Sequence, residues 1–287
     1  MGKPNFFIVG QTKSGTTSLK QYLSQHPDIF IIHEGKGFFG FEPPEITEEE
    51  YFLLFKNAKD EKRIGEKCTD YLSSTNTALK LKNKFPDAKI IMILRNPIDM
   101  MYALHSSQLY TETMENIKDF GEAIKAEKWR KEENKKTPGK WHPHMFYTDI
   151  GKYTPQVRKY IDQFGKKNVK VIILDDMKKD MKKIFKEVLD FLEIDSSFIP
   201  QFKIFNEHRE YRSRTLQAAM KDNKLKLSTI LGKIPYTSSI YRMINQPQKK
   251  KIPMDPILRK ELQVMFFPEI EELGKLIDRD LMFWCEN

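Results

Sequence analysis

Near the amino terminus an apolar run, Phe6-Phe7-Ile8-Val9, ends in Gly10 and gives way to Gln11-Thr12-Lys13-Ser14-Gly15-Thr16-Thr17-Ser18. Leu19, Tyr22 and Leu23 follow at helical spacing. The pattern predicts a strand, a short loop and a helix. Backbone N–H groups at a helix N-terminus are unpaired donors with partial positive charge, so they hold anionic oxygens. Thr16, Thr17 and Ser18 add hydroxyls, and Lys13 puts a full charge inside the loop. A second apolar run, 89–94, ends in Arg95-Asn96-Pro97. A guanidinium there suits a second phosphate, which it can grip with two parallel hydrogen bonds.

The loop differs from a Walker A loop where metal and γ-phosphate chemistry would need it. That pattern is G-x-x-x-x-G-K-[ST]. Gly10 and Gly15 have its spacing, but Thr16 stands where the lysine should be. A Walker B strand ends in an acid that helps to hold Mg²⁺; here the strand ends in Arg95, which repels a metal and attracts a phosphate. The expectation is a phosphorylated nucleotide bound without a metal.

The elements that must position these residues alternate. Strands are expected over 6–10, 29–32, 89–94 and 169–174. Helices are expected over 16–25, from Thr47 onward, over 98–110, 153–164 and 181–191, and from Pro256 to about 276, with 281–284 closing the chain. Residues 65–71 are read as leading into a helix that ends near Lys84. Residues 112–147 are read as a helix plus an excursion rather than a second domain. This order implies βαβ units and a mostly parallel sheet flanked by helices, a three-layer α/β fold over one domain, 1–287. Both loops then lie at the carboxyl ends of strands, where such sheets bind ligands.

Lys13-Ser14-Gly15-Thr16-Thr17-Ser18-Leu19 resembles the 5′-phosphosulfate loop of sulfotransferases that use 3′-phosphoadenosine 5′-phosphosulfate (PAPS). Leu94-Arg95-Asn96-Pro97 followed by Asp99 is similar to their 3′-phosphate motif, and Gly65-Glu66-Lys67 with Tyr71 fits between the two. The resemblance is to the bacterial branch that is also similar to heparan-sulfate sulfotransferase domains, and it runs over nearly the whole chain. It implies a P-loop NTPase-like fold. It also implies metal-independent, in-line transfer of a sulfuryl group from PAPS to a hydroxyl or amine, leaving 3′-phosphoadenosine 5′-phosphate. Lys13 would then assist the departing phosphate. Ser14, Gly15, Thr16, Thr17 and Ser18 would hold the 5′-phosphate, and Arg95 the 3′-phosphate. The family places a serine eight positions after this arginine, where this chain has Ala103, with Ser106 and Ser107 one turn further on. A late loop covers the nucleotide in such enzymes; Arg212, Ser213 and Arg214 are the residues expected to form it.

The resemblance also points to a base. The family pattern Lys-Glu-x-x-Phe-Phe follows its second strand, and the matching stretch here is His33-Glu34-Gly35-Lys36-Gly37-Phe38-Phe39. Aligned on Phe38-Phe39, the base position holds Gly35, so Glu34 is favoured, with His33 next; either can take a proton near neutral pH. Lys67 matches a family lysine near the acceptor. Phe38, Phe39, Tyr71 and His105 are expected to border the acceptor. His142 and His144 flank Pro143, a poor spacing for a metal site, and read as a surface loop.

Composition narrows the rest. The net charge is +9 over 287 residues, but many lysines alternate with acids, as over 125–136. No nucleic-acid-binding motif is visible. No apolar run approaches 18 residues, which argues against a membrane span. The phosphate loop begins too near Met1 for a signal peptide, and Gly2 with Phe6 does not fit a myristoylation site. Cys68 and Cys285 lie far apart in sequence, so a reducing cytoplasm is expected. Glu42, Glu45, Glu48, Glu49 and Glu50 would repel a polyanion, which favours a small neutral or cationic acceptor. A natural-product tailoring enzyme, of the kind that sulfates saxitoxin-type molecules, is the expected setting. The alternatives are a P-loop kinase or NTPase and a basic nucleic-acid-binding protein; the oligomeric state stays open.

Overall fold

Phe6–Gly10 forms strand β1 with every residue buried, the pattern of a strand covered on both faces. The computed structural model describes residues 2–32, 37–40, 44–111, 114–202 and 253–286, without the side chains of 110 and 111. The elements below belong to one compact unit, Met1–Phe205 with Asp255–Asn287. Asn206–Met254 make a second unit, nearly all of it outside the described residues.

The other strands are β2 (Ile29–Ile31), β3 (Arg63–Lys67), β4 (Lys89–Leu94) and β5 (Val169–Ile173). They form one sheet in the order β2-β3-β1-β4-β5, and every neighbouring pair is parallel. β1 is therefore central, between β3 and β4. Phe6 pairs with Gly65 on one side and with Lys89 on the other.

Alternate residues face opposite layers. Phe6 and Ile8 join Ile91, Ile93 and Ile172 in a core cluster. Helix α1 (Thr16–Leu23) covers it with Leu19 and Leu23, and α10 (Met181–Phe191) with Phe185, Val188 and Leu189. Between β5 and α10 runs α9 (Leu174–Lys179), which adds Leu174 and Met177. On the other face Phe7 packs against Phe85, 5.3 Å between ring centroids. Short helices α3 (Asp70–Ser73) and α4 (Thr77–Lys84) and the longer α8 (Tyr153–Phe164) form that layer. Helix α2 is Glu48–Leu53, opened by a Thr47/Glu50 capping box with acids in its first turn. The remaining elements are α5 (Pro97–Thr111), α6 (Phe120–Lys136), α7 (Tyr147–Gly151), α11 (Pro256–Ile277) and α12 (Phe283–Glu286).

The three-layer α/β expectation holds, and the sheet is wholly parallel. One strand was not foreseen. Arg63–Lys67 is β3, second from the edge, not the lead-in to a helix, and two helices follow it rather than one. Its sequence has a single large apolar residue, Ile64, because Phe6 supplies the packing: a Cβ on Gly65 would lie 2.3 Å from the Phe6 ring. The strand expected over 169–174 ends at Ile173, and Leu174 opens α9.

Candidate active site

The donor side is built at the ends of β1 and β4. Gly15 caps α1 in the left-handed region, φ 89°, and no side chain caps this helix end. A Cβ on Gly15 would lie 3.1 Å from Leu174 Cδ1, so both the backbone and the space favour glycine. The first N–H groups of α1 are thus left for an anion. Gln11 braces the loop. Its side-chain oxygen accepts from Thr12 N at 2.6 Å, and its Nε2 donates to the Ile150 carbonyl of α7 at 3.4 Å.

Two cations meet here. Lys13 is also left-handed, φ 57°. Its Nζ donates to Ser107 Oγ on α5 at 3.2 Å, and Arg95 Nη1 donates to the Lys13 carbonyl at 3.2 Å. The Lys13 ammonium is reached by solvent yet flanked by protein; that desolvation, then the Arg95 charge, lowers its pKa. Arg95 Nε is buried and has no hydrogen-bond partner among the described residues. The Tyr153 hydroxyl is likewise buried without a partner, and the Arg95 charge acts on it. Buried donors left unpaired on and near Arg95, itself bonded to the Lys13 carbonyl, suit a site for an anion. Sequence reasoning missed Gln11 and Tyr153, since a lone Gln and a helical Tyr carry no pattern.

The side on which the acceptor is expected is built from β3 and the turn and short helices after it. Lys67 ends the strand opposite Ile8 of β1. Glu66, fully buried, accepts from Tyr51 Oη at 2.9 Å and Tyr71 Oη at 2.8 Å. Burial pushes its pKa up to about 7, although the two hydroxyls pull it back. Tyr71 Oη also accepts from Phe39 N at 3.4 Å, and Thr77 Oγ1 donates to the Phe39 carbonyl at 2.7 Å. Farther along, His144 Nε2 lies 2.9 Å from Asp70 Oδ1. Burial opposes ionisation of Asp70, but the His144 hydrogen bond and the charges of His144, His142 and Lys67 outweigh it, so its pKa is lowered.

Several sequence expectations change here. Ser14 and Thr16 are buried, and Ser14 Oγ donates to the Thr12 carbonyl, so the Ser14 hydroxyl proton is already engaged within the loop. Thr17 and Ser18 stay half-buried. Ser106 Oγ donates to the Tyr102 carbonyl one turn back, so only Ser107 is turned to the loop. Ala103 is buried, one turn before Ser107 on the same helical stripe. Tyr71 has no exposure, and Phe39 packs among Tyr51, Tyr71 and Phe85, so both are interior rather than lining an open surface. Phe38 is half-buried and stacks on Tyr51 at 4.8 Å. His105 is interior, paired with the Ile117 carbonyl at 2.8 Å and packed on Phe120. His142 and His144 are half-buried rather than a free surface loop. His33, Glu34, Arg212, Ser213 and Arg214 lie outside the described residues.

Among the described residues no helix is long and apolar enough to cross a membrane, and no group of three or more His, Cys, Asp or Glu could hold a metal. The chain is similar to the sulfotransferase from Alicyclobacillus acidocaldarius, with a TM-score of 0.75 and 28% identity over 99% of both chains. Mouse sulfotransferase SULT7A1, complexed with PAP, shares the fold, with a TM-score of 0.51 and 16% identity over 97% of this chain and 88% of that one. The membrane-associated sulfotransferase kil1 of Dictyostelium discoideum is 35% identical over 100 residues, 33% of this chain and 21% of that protein. Mouse bifunctional heparan sulfate N-deacetylase/N-sulfotransferase 4 is 25% identical over 206 residues, 67% of this chain and 22% of that protein. The chain thus spans about a fifth of the length of these curated relatives. The sulfotransferase domain family model matches residues 3–274, and the chain belongs to that family.

Proposed function

We propose that residues 1–287 act as one sulfotransferase domain, moving a sulfuryl group from PAPS to a hydroxyl or amine of a small acceptor. The observation that carries this reading is the pairing of Arg95 with the phosphate loop: its guanidinium bonds the Lys13 carbonyl while Nε stays unmatched. A cation where a Walker B acid would stand fits a second phosphate better than Mg²⁺. The orphaned Arg95 Nε and Tyr153 hydroxyl fit a nucleotide bearing a 3′-phosphate.

In the transfer, the bond between sulfur and the bridging oxygen breaks, and a bond from sulfur to the acceptor heteroatom forms. Lys13 is poised for the charge gathering on the leaving phosphate, an interaction strongest in the transition state. The N–H groups of Gly15, Thr16, Thr17 and Ser18 hold that phosphate, and Arg95 holds the 3′-phosphate. The acceptor's proton passes to a base, for which Glu34 and then His33 are proposed. Lys67, at the end of the strand beside β1, supplies positive charge near the entering group. Arg212, Ser213 and Arg214 are proposed to cover the nucleotide. A cytoplasmic setting belongs to the same reading, in keeping with Cys68 and Cys285, both free thiols. No membrane or nucleic-acid partner is required.

The test is release of 3′-phosphoadenosine 5′-phosphate from PAPS, measured in EDTA across a panel of hydroxyl and amine acceptors. Acceptor-dependent release is expected. Hydrolysis of ATP that needs Mg²⁺, with PAPS untouched, would return the kinase or NTPase alternative. Salt-sensitive binding of arbitrary DNA or RNA would favour the nucleic-acid alternative.

A further inference from the structure

We propose that the cleft between the turn at Asp70–Asn76 and the turn at His142–His144 binds the acceptor, and that it takes an uncharged, multiply hydroxylated ring. This rests on the sulfotransferase reading above and names the acceptor class that the reading leaves open.

The cleft has a volume of about 350 Å³, at the small end of the roughly 300–1,000 Å³ usual for ligand pockets. Asp70, Ser73, Ser74, Asn76, His142 and His144 line it. Hydroxyl and amide side chains both donate and accept, as the hydroxyls of a ligand do. Among the described residues no lysine or arginine lines the cleft. The Asp70 carboxylate is the one charged acid among those lining residues, and an acidic ligand finds no cation beside it there that is not already turned to Asp70. An ammonium is not demanded either, because His144 already answers Asp70 at 2.9 Å.

The walls are fixed. The His144 carbonyl accepts from Gln108 Nε2 at 3.1 Å. His142 Nδ1 accepts from His144 N at 3.2 Å, and burial lowers the His142 pKa. The neutral ring therefore carries its proton on Nε2 and is a donor there. Pro143, between the two histidines, adds apolar surface to the lining.

The position fits an acceptor. The His142–His144 turn runs into α7, whose Ile150 carbonyl is bonded to Gln11 of the phosphate loop. The opposite wall starts three residues after Lys67, whose charge reaches Asp70. The two walls thus connect to the donor loop on one side and to the proposed acceptor-side cation on the other.

Ligand-observed saturation-transfer NMR on the full chain tests this, with methyl β-glucoside and glucuronate as probes and adenosine 3′,5′-bisphosphate present. The glucoside should bind and glucuronate should be at least about tenfold weaker. His142→Ala, and Thr75→Arg at the exposed rim, should each weaken the glucoside by about fivefold or more. Calorimetric affinity for the bisphosphate should not change in either variant. The proposal is overturned if a chain that binds the bisphosphate ignores the glucoside, if glucuronate binds equally well, or if both variants bind the glucoside like the parent. Glucoside binding with no bisphosphate binding would instead sink the donor reading and leave the cleft standing.

Discussion

The ends of β1 and β4 and the end of β3 are neighbours in one sheet, yet they treat charge in opposite ways. At β1 and β4 two cations crowd together, Arg95 bonded to the Lys13 carbonyl, with unmatched donors beside them. At β3 the buried group is an acid, Glu66, held by two tyrosine hydroxyls, and the next acid along, Asp70, is matched by His144. The cationic end carries stored electrostatic tension that an anion relieves. At the acidic end the Glu66 oxygens are taken by two hydroxyls and Asp70 has His144 as its ion-pair partner, and Lys67 is the cation proposed to face the entering group. A phosphosulfate binding at the first and an uncharged acceptor at the second is what this contrast supports.

The comparison breaks most sharply at Lys13. Lys13→Ala should lower turnover by about 10²–10³, as loss of one donor that acts on developing charge does, with the Kd for adenosine 3′,5′-bisphosphate nearly kept. Single-turnover kinetics with PAPS decides it; parallel losses in turnover and affinity would make Lys13 a binding residue only.

Glu66 tests the other end through stability. Its carboxyl is pushed up to about 7 in the folded chain, from an ordinary 4.5. A raised acid binds its proton more tightly when folded, so this contribution is whole below about pH 4.5 and is lost as pH rises through about 7. The loss should be on the order of 3 kcal/mol. Urea unfolding from pH 5 to 8 should show a fall in the parent that Glu66→Gln flattens. Identical slopes would mean that Glu66 does not titrate there. Glu66→Ala should destabilise at every pH, because the Tyr51 and Tyr71 hydroxyls lose their acceptor.

Arg95→Ala should cost about 1.5–3 kcal/mol of affinity for the 3′,5′-bisphosphate, and much less for ADP. Equal losses would remove Arg95 from reading the 3′-phosphate. The smallest effect is expected from Ala103→Ser. A hydroxyl on the stripe that carries Ser107 should tighten the bisphosphate by about 1 kcal/mol and leave ADP unchanged. Ala103 is buried, so the added oxygen needs the phosphate as partner; unchanged or weaker binding would show that Ser107 already serves this role or that the motif is misplaced.

How much was legible divides along the same line. The donor side is written locally: Gly10, Lys13 and Gly15 lie within one loop, and Arg95 directly ends an apolar strand. The proposed acceptor side is assembled from distant pieces. β3 hides in the sequence because Phe6 provides the bulk that Gly65 lacks. Glu66 needs Tyr51 and Tyr71, and Asp70 needs His144, from a distant part of the chain. Tyr71 and His105 are expected at the acceptor from the family resemblance, but their polar atoms are engaged by Glu66 and the Ile117 carbonyl. His142 and His144 read as surface because no periodicity marks a turn that packs against another turn.

The most direct test of the whole account is a thermal shift of the full chain in EDTA with adenosine 3′,5′-bisphosphate against ADP. The account predicts that saturating bisphosphate raises Tm by several degrees, as binding to the folded state alone must, while ADP at the same concentration does much less. Equal shifts from the two nucleotides, or stabilisation by ATP only when Mg²⁺ is added, would contradict it.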